Sequence, residues 1–163
     1  MLILDDTIDF YNEVTEAIYD KMPDQSIRPV PQPRPTEETI QATEAALGFT
    51  FPPTFRRFIV RARYYLSITA DLNHPYSLVY ENQWLHEKSE EYYLPKFLIL
   101  FMGGHDGDCN CFDSRFRDEN GECPVVYWDA ENMTEKDIEG LKPTHSSFLE
   151  FLAFITEHEL KRL

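Results

Sequence analysis

The sequence predicts an α+β fold, a mostly antiparallel β-sheet packed with N-terminal and C-terminal helices. Three observations predict it. Residues 44–59 have the pattern of one helix ending, a tight apolar corner, and a second helix starting. Three short apolar segments, 97–102, 108–113 and 124–128, follow one another with turn chemistry between them, which makes them antiparallel neighbours. A strong amphipathic helix signal closes the chain after Ser147.

The first element spans residues 5–21, where Ile8, Tyr11, Val14, Ile18 and Tyr19 recur at helical spacing and Asp5 and Asp6 suit the N-terminus. Pro23, Pro29, Pro31, Pro33 and Pro35 then make a stiff extended linker that sets this helix apart from the rest. The expected organisation is therefore an N-terminal helix and proline-rich linker over 1–35 and a main domain over 36–163. Thr36 caps the second helix, with Glu37 and Glu38 in its first turn and Ile40 and Leu47 on its inner face. Gly48 follows, at the position where a left-handed residue ends a helix at least cost. Phe49 and Phe51 alternate around Thr50. Pro52 and Pro53 cannot continue the first helix but suit the opening of the next, whose stripe is Phe55, Phe58, Ile59 and Ala62, running to about Tyr64.

Residues 65–80 have the pattern of an irregular connection ending in a short strand near 77–80, and 82–92 that of a short helix around Trp84, Leu85 and Tyr92. The run Phe97 to Met102 is apolar without alternation, which marks a central strand buried on both faces. Gly103 to Asp108 turns the chain back, and Cys109 to Asp113 returns beside it. Asp118-Glu119-Asn120-Gly121 is a turn sequence, and Pro124 to Trp128 is the third strand. Residues 129–143 are acidic and loop-like, with a helical turn after Thr134. Ser147 and Glu150 form a capping box ahead of Phe148, Leu149, Phe151, Leu152 and Ile155.

The 163 residues carry 15 basic and 29 acidic side chains, a net charge of −14. Such a chain repels nucleic acid and anionic lipid and attracts a basic partner. No apolar run is long enough to span a bilayer, and the N-terminus lacks signal-peptide features, so a cytoplasmic location is expected. Three cysteines without an export signal are expected as free thiols.

Candidate chemistry is sparse. Asp106, Asp108 and Asn110 start like a calcium loop, but Cys111 and Arg117 stand where the loop needs Gly and Glu. His105, Cys109, Cys111 and Cys123 could offer zinc ligands, yet a Cys-x-Cys pair does not fit the usual spacing, and on a strand Cys109 and Cys111 share a buried face. His105 with Asp106 is the one acid–base pair in a turn, a weak case for a hydrolase. No catalytic residue, cofactor or metal is expected. A partner surface is a better fit: the 104–108 turn and the 129–131 loop fall at one end of the sheet and the 114–122 turn at the other. Asp106, Asp108, Asp129 and Glu131 would form an acidic patch, with Trp128 either an aromatic anchor beside it or part of the core.

The order of these pieces resembles the SUKH superfamily, which includes fungal regulators of cell-wall assembly and bacterial immunity proteins that neutralise polymorphic toxins. The similarity rests on Glu44-x-x-Leu47-Gly48 with Phe51-Pro52 and Phe55, then Phe97–Gly104, Asp106-Gly107-Asp108, Cys111-Phe112-Asp113, Pro124–Asp129 and Ser147–Leu152, covering roughly 36–156. The helix after Pro52-Pro53 departs from the family pattern, running into Arg63-Tyr64-Tyr65 instead of Asn-Gly. The resemblance implies binding rather than turnover: an immunity protein occluding a basic toxin domain such as a nuclease, or a regulatory scaffold for a cellular protein. It implies a protein partner, no nucleic acid or membrane, and a monomer or weak dimer.

Overall fold

Glu44 and Gly48 fix the corner on which the helices turn. In the computed structural model, which describes residues 3–31, 33–64, 72, 77–87, 91–103 and 107–161, α2 (Glu37–Leu47) starts at Thr36, whose Oγ1 accepts from Thr39 N–H at 3.1 Å. It ends at Gly48 in the left-handed region, φ 62°. Gly48 and Phe49 N–H donate back to the carbonyls of Ala45 and Glu44, and the Glu44 carboxylate accepts from Phe51 N–H at 2.9 Å. The motif glutamate is thus a strut across the corner. Helix α3 (Pro53–Arg61) follows with Pro at its first position. It ends at Arg61, short of the expected Tyr64, where Ala62 adopts an extended backbone.

The N-terminus of α3 has no capping side chain of its own. Glu122, from the connection between the second and third strands, supplies one: its carboxylate accepts from Thr54 N–H at 2.9 Å and Thr54 Oγ1 at 2.7 Å. A carboxylate at a helix start satisfies orphan donors and faces the positive end of the dipole.

The sheet is β1 (Leu98–Gly103), β2 (Asp108–Asp113) and β3 (Val125–Asp129), consecutive and antiparallel in the order β1-β2-β3. Alternation splits their side chains between two apolar clusters. Ile99, Phe101, Phe112 and Val125 face α1 (Leu4–Asp20), α2, α3 and α5 (Phe148–Leu160). Leu98, Leu100, Cys109, Cys111, Val126 and Trp128 face Leu85, Leu94 and the 130–141 segment. β1 is thus an edge strand, not the central one expected, and its run is apolar without a period of two because both of its faces are covered. Phe55 anchors the first cluster, with ring centroids of Phe51, Phe101, Phe112 and Phe148 at 5.0–5.8 Å. The Asn120-Gly121 turn lies inside a longer connection, 114–124, where Gly121 has φ 85° and donates to Asp118 O at 3.1 Å.

The proline stretch separates α1 from α2 along the chain, not in space. Ile8 and Tyr11 belong to the same cluster as Phe58 and Phe148, and the Tyr11 and Phe58 rings meet edge-on at 5.3 Å. On the rim, Arg57 grips Asp5 bidentately at 2.9 Å and Arg61 grips Asp9. These pairs are largely exposed, so solvent screens them and they add little to stability. The buried stripe, led by Ile8 at full burial, is what fastens α1.

The strand expected at 77–80 is instead the first turn of α4 (Leu78–His86). Leu78, Asn82 and Leu85 make its buried face. Tertiary packing overrides the strand preference of Val79 and Tyr80. Most of the connection expected over 65–76, including His74, lies outside the described residues.

Ser147 Oγ accepts from Glu150 N–H at the start of α5, while the Glu150 carboxylate reaches Ser146 N–H, one residue before the cap, at 2.9 Å.

Candidate functional site

Strand register builds an acidic end on the sheet. Asp108 lies opposite Asp129 across β2 and β3, and Ala130 N–H donates to Gly107 O at 2.9 Å to close the ladder. Gly107 sits at φ 76°, and a Cβ there would stand 2.7 Å from Glu131 Cγ, so the loop 129–131 is pressed against the turn. Asp108, Asp129 and Glu131 therefore come together at one end as the sequence predicts. Asp106 and His105 lie outside the described residues.

The local bonds set the charges. Asp129 accepts from the Asn132 side chain at 2.9 Å and from the N–H groups of Asn132 and Glu131 at 3.0 and 3.1 Å. These bonds, the Asn132 amide first, hold its carboxyl below the usual range. Tyr127 hydroxyl donates to Asp108, and that bond pushes the phenol up to about 12. At neutral pH Asp129 is thus ionised and the Tyr127 phenol protonated.

Trp128 takes the interior alternative. It is fully buried, its indole N–H donating to Tyr93 O at 2.6 Å, because its position on β3 faces the second cluster. As a partner anchor it is a correction to the sequence reading. At the opposite end Asp118 accepts from Asn120 and Glu122 N–H at 2.8 Å, and Glu122 caps α3, so these acids hold the loop. Cys109 and Cys111 lie in one cluster and Cys123 in the other, all three as free, buried thiols. Burial pushes the thiols of Cys111 and Cys123 up, away from the reactive thiolate. Among the described residues no group of three or more His, Cys, Asp or Glu is arranged to hold a metal, and no helix is long and apolar enough to cross a membrane.

A groove of 490 Å³ lies elsewhere, lined by Asp9, Asn12, Glu13, Arg34, Arg57 and Arg61 with Val60 and Arg63. It is the seam between α1 and α3, and Arg57 and Arg61 spend their charge on Asp5 and Asp9.

Sequence reasoning passed over the aromatic surface of α4. Tyr80 and Trp84, four residues apart and opposite the buried face, are 47% and 46% exposed. The Trp84 ring meets Tyr92 with centroids 5.0 Å apart. Their signal was the spacing of Tyr80 and Trp84 on a helix, visible only once the helix start is known.

No curated protein matches the chain. Residues 34–153, from the linker through the acidic end and into α5, match the model of the SMI1 / KNR4 family (SUKH-1), and the chain belongs to that family.

Proposed function

We propose that this chain is a non-catalytic immunity protein that occludes a basic toxin domain, a nuclease being the partner class its charge suits. The observation that carries the reading is the acidic end of the sheet, where Asp108, Asp129 and Glu131 are brought together on a chain of net charge −14. Family membership supports a binding role. Carboxylates on a rigid sheet end imitate phosphates, steer a basic surface into contact and fix its register. Asp106 directly precedes Gly107 in the sequence and is proposed as a further member.

The test is co-expression with the toxin domain encoded beside it. The expected outcome is growth rescue and a stable 1:1 complex. Asp108→Asn, Asp129→Asn and Glu131→Gln together should slow association about tenfold or more at low salt. Failure of rescue, with an intact complex to another cellular protein, would favour a regulatory scaffold. A hydrolytic activity abolished by His105→Ala would overturn the binding reading.

A further inference from the structure

We infer that Trp84 and Tyr92, rimmed by Glu87, Glu91, Asp129 and Glu131, form the anchor of the partner interface and take a lysine or arginine side chain from a basic protein surface. The inference rests on the reading proposed above and names its contact.

The chain path makes the aromatic pair and the acidic end neighbours. Tyr93, one residue after Tyr92, donates its N–H to Ala130 O at 2.8 Å, and Ala130 stands between Asp129 and Glu131. Leu94 N–H donates to Leu85 O at 3.2 Å, so the 91–95 segment folds back over the end of α4. Glu91 and Glu87 are exposed, Glu87 one turn beyond Trp84. The aromatic pair therefore has Glu87 and Glu91 beside it along its own segment and Asp129 and Glu131 beside it across the Tyr93–Ala130 bond. A half-exposed tryptophan beside a tyrosine offers large area at low entropy cost, the composition that dominates interface energetics. Its ring face carries negative potential and attracts a cation, and the surrounding carboxylates add to that attraction. The same rim repels a second copy of this chain.

The test is calorimetric titration of the full chain with hexa-arginine, and with hexaglutamate as control. Wild type should bind hexa-arginine, weakening with salt, and should not bind hexaglutamate. Trp84→Ala should weaken binding about fivefold or more, and Trp84→Phe about twofold, with circular dichroism and Tm unchanged. Tyr92→Leu gives the same reading should Trp84→Ala misfold. No binding by wild type, or equal binding by the variants, overturns the anchor. So does a wild-type dimer in sedimentation that Trp84→Ala dissolves. The toxin assay separates the two readings. Peptide binding lost in Trp84→Ala without growth rescue leaves the anchor standing and removes the toxin reading. Growth rescue by Trp84→Ala equal to wild type does the reverse.

Discussion

The side-chain amide of Asn82 pairs with both backbone polar groups of Leu100. Nδ2 donates to Leu100 O at 2.9 Å, and Leu100 N–H donates to Oδ1 at 2.8 Å. Nδ2 also donates to Leu78 O at 2.8 Å, so one fully buried side chain ties α4 to itself and to β1. Next to it, His86 Nε2 lies 2.9 Å from Leu98 O.

Asn82→Leu keeps the volume and orphans the Leu100 groups in a dry site. Stability should fall by about 3 kcal/mol, measured by urea unfolding with an unchanged slope. A loss under about 0.5 kcal/mol would show that the amide is dispensable.

Ile8→Ala tests whether α1 belongs to the body or rides on a spacer. Ile8 is fully buried in the main cluster, so the substitution should cost about 2–4 kcal/mol in a single cooperative transition. An arm held apart would melt separately and leave the main transition in place.

Glu122→Ala removes the cap that α3 borrows from the β2–β3 connection. The expected loss is about 1–2 kcal/mol, read from the shift in denaturation midpoint. Glu122→Gln, which keeps the acceptor and drops the charge, should lose less.

The histidines give stability a slope in mild acid. Burial lowers the pKa of His86 below its ordinary 6.5, and burial does the same to His145. A carbonyl only accepts, so Nε2 of neutral His86 carries the proton in the bond to Leu98 O. Below pH 6.5 the unfolded chain binds protons that the folded chain resists, so stability falls as pH drops through that window and is full above it. Thermal melts at a series of pH values should show this slope, shallower in His86→Gln and shallower again with His145→Gln. An unchanged slope in both would place the titrating group elsewhere.

Local chemistry made much of the fold legible. Thr36, Gly48 and Ser147 mark helix ends through their own side chains or backbone freedom, and the turn residues fix the three-strand meander. The acidic end was legible for the same reason, since hairpin register alone brings Asp108 to Asp129. What escaped was decided at a distance. Leu78-Val79-Tyr80 has strand character, and it becomes helix because Asn82 and Leu85 find partners on β1 and below the sheet. With the helix start misplaced, the outward phase of Trp84 was invisible. Trp128 fell the other way because β3 is covered on the face it points to. Glu122 looked like one more exposed turn acid, and its bond to Thr54 spans 68 positions of sequence.

The amide of Asn82 and the imidazole of His86 occupy the outer hydrogen-bonding groups of β1 at Leu98 and Leu100. That margin of the sheet is therefore sealed against any extended peptide that would join it by main-chain pairing. A protein partner that docked at this margin would meet side-chain shape and charge rather than open main-chain groups, so the face it meets could change residue by residue while the ladder beneath it stays the same.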